Sequence, residues 1–109
     1  MNYINFFWNM KTTIQELDGR LVAVLAGELD TASAAETEAA LKPLFDSTGK
    51  DLVLDCTDLQ YIASSGIRIL VNLLKTAKAK GDRVILKNVN EVIRDVLDMT
   101  GFISYFEFE

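Results

Sequence analysis

Ser64 and Ser65 stand side by side before Gly66, at the point where the chain enters its clearest helical pattern. A helix start carries backbone N–H groups without intrahelical partners and the positive end of the helix dipole, so it welcomes an anion. A serine hydroxyl there has two uses. It caps the helix by accepting an amide hydrogen, or it takes a phosphate that changes the surface charge sharply at little cost to the fold. Local sequence alone favours the cap, because serine is a preferred N-cap whatever a protein does. Hydrolysis fits poorly. The chain has no histidine, which removes Ser-His and Cys-His catalysis, histidine phosphorelay and the commonest zinc ligand together. The pair also lacks a Gly-x-Ser-x-Gly elbow, so the chain does not read as an enzyme.

Carboxylates form the second candidate group. Glu28, Asp30, Asp55 and Asp58 fall at the ends of the second and third expected strands. If those strands are neighbours, their C-terminal ends gather beside the serine turn, at the edge where an open α/β sheet carries its crevice. Such carboxylates either meet Mg²⁺ on a partner's nucleotide or cap turns. Their spacing matches neither an EF-hand loop nor a paired-acid glycosidase site. The six glycines are scattered singly, so there is no P-loop or dinucleotide fingerprint, and no cofactor is expected. The single cysteine, Cys56, ends an apolar strand and reads as a small core filler, consistent with a reducing cytoplasm.

The elements that must position these groups are readable from the pattern. Residues 12–17 alternate weakly and end at Asp18-Gly19, a two-residue hairpin signal, after which 20–26 reads as a buried strand. Gly27-Glu28-Leu29-Asp30 breaks that strand. Ser33 with Glu36 three residues on forms a capping box for a helix running to about Phe45, with a kink or early end at Pro43. Residues 51–56 form a short apolar strand of the buried parallel kind, followed by the serine turn. Across 66–80, Ile67, Leu70, Val71 and Leu74 fall on one helical face, opposite a polar stripe of Arg68, Asn72 and Lys75, and Gly81 is the natural stop. Residues 83–87 form the next strand. Asn90 caps a last helix with Val92, Ile93, Val96 and Leu97 facing inward, closed at Gly101 by a Schellman stop in which Phe102 meets Leu97. Residues 105–108 suit a final extended piece.

With 109 residues, half of them apolar, the chain suits one domain with its own core. That domain is placed at 10–109, behind an aromatic extension over 1–9 that holds Tyr3, Phe6, Phe7 and Trp8. The extension lacks a signal-peptide pattern and reads as a flap, an upstream start or an anchor for a partner or membrane surface. The net charge of −5 and the lack of any basic block speak against nucleic acid as a partner. No apolar run approaches the roughly 20 residues that span a bilayer. The order β-β-α-β-α-β-α implies right-handed crossovers onto a mixed sheet of four to five strands flanked by helices, an α/β fold.

Taken together, Gly27-Glu28-Leu29-Asp30, the Leu52-Val53-Leu54-Asp55 strand, Leu59-x-Tyr61-Ile62-x-Ser64-Ser65-Gly66 and the closing Val96-Leu97-Asp98-Met99-Thr100-Gly101-Phe102 closely resemble the STAS domain family. The nearest subset is the single-domain anti-sigma factor antagonists. The resemblance implies a cytoplasmic partner-switching protein with Ser64 as phosphoacceptor. It implies an anti-sigma factor serine kinase that modifies Ser64 and a metal-dependent serine/threonine phosphatase that reverses the step. Unmodified, the domain binds the kinase and frees the sigma factor. Asp30, Asp58, Ala63, Ser65, Gly66 and Arg68 are expected on the partner-binding face. One residue departs from the pattern: Ala63 stands where the antagonists have aspartate, which removes a carboxylate beside the acceptor. That departure and the aromatic extension motivate the alternative of an unphosphorylated docking subunit of a transporter or multiprotein signalling complex.

Overall fold

The computed structural model describes residues 9–109; the aromatic residues 1–8, and with them most of the expected extension, lie outside the described residues. Five strands form one sheet in the order β1-β2-β3-β4-β5: Met10–Leu17, Arg20–Leu29, Leu52–Ile62, Val84–Lys87 and Glu107–Phe108. β1 and β2 are antiparallel, and the remaining pairs are parallel. Four α-helices fill the crossovers: α1 (Ala34–Ala40), α2 (Lys42–Asp46), α3 (Ser64–Ala79) and α4 (Glu91–Met99). Right-handed crossovers that advance in one direction across a sheet place every helix on the same face, and the core agrees. Leu44, Leu70, Leu73, Leu74, Ile93 and Leu97 from the helices, with Leu41 between α1 and α2, cluster with Ala23, Leu25, Leu52, Leu54 and Leu86 from the strands. The second buried cluster contains only strand residues, Val22, Val53 and Ile85. The expected α/β class and mixed sheet are what the chain adopts.

Asp18 and Gly19 make the hairpin turn, both with positive φ (54° and 76°), as a two-residue turn matched to strand twist requires. α3 ends as expected. Gly81 (φ 76°) donates to the Lys78 carbonyl and Asp82 to the Ala77 carbonyl, which completes a Schellman motif. Pro43 sits in the first turn of α2, and the chain breaks at Leu41 between two short helices.

Several expectations are corrected. β2 does not stop at Gly27 but runs to Leu29, and β3 does not stop at Cys56 but runs to Ile62. Two bulges explain both. Between Val24 and Ala26 of β2, and again between Gly27 and Glu28, β3 carries an extra residue. The core-facing residues of β3 therefore fall at 54, 56, 59 and 62, and this loss of strict alternation imitates a turn. The capping box at Ser33 and Glu36 is absent. Ser33 has helical dihedrals and makes no side-chain cap bond; its hydroxyl bonds Asp30 and the Glu28 carbonyl instead. Val92 points outward, 64% exposed, while Ile93 and Leu97 are buried. At Gly101 the Phe102 amide donates to the Thr100 hydroxyl rather than to a helix carbonyl, so that stop is not the full Schellman bond pair.

Candidate functional site

The parallel strands β2 and β3 end side by side, and the Ala63 amide donates to the Leu29 carbonyl at 2.8 Å. That bond ties the start of α3 to the end of β2. Ser64 is the first residue of the helix and Ser65 the second. Gly66, the third, lets the helix come close to the sheet: a Cβ there would lie 2.6 Å from Leu29 Cγ and 2.9 Å from Ile62 Cγ1. Gly66 is buried, so it sets the position of the face and does not form part of it. Below it, Ile69, Leu70, Leu73 and Leu74 anchor α3 in the core, each worth about 1.5–3 kcal/mol of burial.

Neither serine caps the helix. The cap position belongs to Ala63, in extended conformation (φ −88°, ψ 171°), and no side chain accepts from the first turn. Ser64 is exposed, and its hydroxyl makes no hydrogen bond among the described residues; Ser65 is half-buried, with its Oγ 3.4 Å from Thr31 Oγ1. The two hydroxyls thus differ in access. Arg68 is exposed on the next turn of the helix. Thr31, Glu38, Ser65, Arg68, Ile69 and Asn72 line an open groove of about 350 Å³ between α1 and α3.

The expected cluster of four carboxylates is only half assembled. Glu28 and Asp30 do lie at the end of β2, beside α3. Asp30 is committed to its turn: its Oδ1 accepts from the Ser33 amide (2.9 Å) and hydroxyl (3.0 Å). Asp55 and Asp58 lie inside β3, paired in register with Val24 and Ala26. Asp55 accepts from the amide and hydroxyl of Thr57. Asp58 is exposed, six residues before Ser64 along extended chain, roughly 15–20 Å away. Among the described residues no group of three or more His, Cys, Asp or Glu is placed to hold a metal. The turn-capping use of these carboxylates is the one on view at Asp30, while Asp55 bonds its neighbour Thr57 within the strand.

Cys56 is buried, and burial pushes its thiol up to about 12. Its Sγ donates weakly to the Leu54 carbonyl at 3.5 Å. It is a core residue, as expected. The sequence reading missed Tyr61, whose ring is 47% exposed at the end of β3, in register with Glu28 and three residues before Ser64. A large aromatic left in water is a residue type enriched at protein interfaces. Its signal was the buried Leu59 and Ile62 on either side, which leave Tyr61 on the outer surface of the bulged strand.

A hydroxyl presented at the mouth of a helix, at the finishing edge of a mixed sheet with all its helices on one face, defines a class of small α/β domains. The chain belongs to the STAS domain family, which matches residues 11–109. BtrV of Bordetella bronchiseptica, named as an anti-sigma factor antagonist, is 33% identical over 97 residues, covering 89% of this chain and 84% of that protein. Among solved structures, an anti-sigma factor antagonist from Mycobacterium paratuberculosis superposes with a TM-score of 0.77 at 24% identity, over 91% of this chain and 84% of its own. SpoIIAA, a Bacillus cell fate determinant and anti-sigma factor antagonist, shares the fold in its unphosphorylated form (TM-score 0.75, 20% identity, 91% and 88% covered). It does so in its phosphorylated form as well (0.70, 20%, 91% and 91%).

Proposed function

We propose that this chain is an anti-sigma factor antagonist that works by partner switching, with Ser64 as the phosphoacceptor. The observation that carries the reading is the contrast between the two serines: Ser64 is exposed without a hydrogen-bond partner among the described residues, while Ser65 is half-buried against Thr31. The similarity to BtrV supports the antagonist role, and SpoIIAA shows that a protein of this fold exists in both phosphorylated and unphosphorylated forms. The unmodified domain docks an anti-sigma factor serine kinase through the surface around Ser64, with Tyr61, Ser65 and Arg68 at its rim. Asp30 acts from beneath by fixing the turn, and Asp58 lies at the margin.

A phosphate adds about two negative charges at neutral pH. At the start of α3 the fold tolerates it, so the switch lies in surface electrostatics and needs no unfolding. Loss of about 3 kcal/mol of docking energy weakens binding over a hundredfold, enough to exchange partners. A metal-dependent serine/threonine phosphatase resets the state. The protein is a cytoplasmic regulator and not an enzyme in this reading; no helix among the described residues is long and apolar enough to cross a membrane. Incubation with the cognate kinase and ATP is expected to add one phosphate to the wild type and to Ser65→Ala but none to Ser64→Ala. Modification of Ser65→Ala lost and Ser64→Ala retained would reverse the residue assignment.

Ala63 favours a second reading. With no carboxylate at the helix cap, the chain suits a constitutive docking subunit of a transporter or signalling complex. Recovery from native cells in a stable complex, with no phosphorylated form under any condition, would select it.

A further inference from the structure

The chain has four arginines, and three of them are occupied. Arg20 pairs with Glu109 at 2.6 Å, Arg83 pairs with Asp51 and Glu107, and Arg94 lies over the Phe108 ring at 4.2 Å. Arg68 alone makes neither an ion pair nor a ring contact among the described residues, although Glu38 lines the same groove across from it. It lies four residues after Ser64 in α3. Residues four apart on a helix are neighbours on its surface, with Cβ atoms about 5–6 Å apart, and an anion preceding a cation at this spacing is the favourable order. The lysines of α3 begin at Lys75, roughly 16 Å further along the axis and out of reach.

We infer that Arg68 is the intramolecular receiver of the Ser64 phosphate, a positioning residue that holds the modified side chain along α3 and sets how much of its charge partners meet. This rests on Ser64 being the modified residue. A guanidinium presents two parallel N–H donors that match two phosphate oxygens, which a lysine in its place would not. The other polar residues of the groove that Arg68 lines are acidic or neutral, Glu38, Thr31, Ser65 and Asn72, and Glu28 and Asp30 lie at the end of β2. Within α3, Arg68 is the cation one turn from the phosphate, and capture by it leaves about one net negative charge facing a partner where an uncaptured phosphate would show nearly two. The groove residue that has no structural partner before modification acquires one after it.

The test uses phosphoserine placed at position 64 during translation, so that it does not depend on any kinase. A ³¹P NMR titration follows the second ionisation of the phosphate in the wild type, Arg68→Gln and Arg68→Lys. Because Arg68 is exposed, all three are expected to fold alike. The wild-type midpoint is expected about 0.15–0.4 pH units below that of Arg68→Gln, the size an exposed one-turn ion pair supports. Arg68→Lys is expected between the two. Superimposed titrations for wild type and Arg68→Gln would overturn the inference. A kinase that leaves Ser64 unmodified would remove the switch without changing these titrations, so the two failures are told apart.

Discussion

At the edge where β2, β3 and β4 begin, Arg20, Asp51 and Arg83 precede residues that are aligned in register, Leu21, Leu52 and Val84. Arg83 is held by Asp51 and Glu107, and Arg20 by Glu109. At the edge where β2 and β3 finish, Ser64, Tyr61 and Arg68 face solvent, and Arg68 has no ion-pair partner among the described residues. The same residue type is thus consumed at one edge and held in reserve at the other. Surface ion pairs add little stability each, so their value at the starting edge is mainly to bind the strand ends and the C-terminal residues to one another. A face left without internal partners keeps its donors for another molecule. Asp30, at the finishing edge, is spent on the turn that presents the rest.

The contrast breaks most directly at Gly66, which holds the open edge in place. Gly66→Ala puts a methyl within 2.6 Å of Leu29 and is expected to cost about 1–3 kcal/mol in denaturant unfolding, because the helix must lift from the strand ends. A neutral result would mean that α3 has slack where close contact is described. Next comes Ala63→Asp, which supplies the missing cap. It is expected to stabilise by about 1 kcal/mol, raising Tm by about 4 °C, and the gain should begin to fall below about pH 4 and be lost at lower pH as the new carboxyl protonates. An unchanged Tm at neutral pH would show that the first-turn amides are already satisfied.

The two edges also predict different arginine scans. Arg83→Ala is expected to lower Tm by a small but measurable amount, as loss of exposed pairs does, whereas Arg68→Ala is expected to leave the unmodified Tm at the wild-type value. Equal losses would erase the distinction. Acid sharpens it further. The hydrogen bonds from Arg83 to Asp51 and from Arg20 to Glu109 hold both carboxyls below their usual range. A depressed folded-state value gives stability that is complete above the unfolded-state range, near pH 4, and is lost as pH falls through the folded values. Tm is therefore expected to decline below about pH 4, with a shallower decline in Asp51→Asn. The smallest effect is at Cys56, which burial keeps protonated; a thiol reagent should modify it only after denaturation.

Much of the fold was legible because it was carried by local chemistry. Asp18-Gly19 can hardly be anything but a tight turn, and Asn90 does cap α4, accepting from Ile93 at 2.9 Å. What was not legible came from register. The bulges in β3 depend on how it pairs with β2, and nothing within 57–62 announces them. Asp58 therefore moved from the turn into the strand and Asp55 from the strand's end to its interior, and the carboxylate cluster thinned. The helix cap failed for a related reason: propensity favours serine at that position, but the bond from Ala63 to Leu29 fixes the helix start one residue earlier. Propensity alone points to serine as the cap; tertiary contact puts Ala63 there and leaves the Ser64 hydroxyl exposed, without a partner among the described residues.

Binding of the cognate anti-sigma factor kinase to the chain with and without phosphoserine at position 64 measures the switch itself. Isothermal titration is expected to give an affinity for the modified chain more than a hundredfold weaker, with α3 intact by circular dichroism. Equal affinities for the two forms would contradict the account.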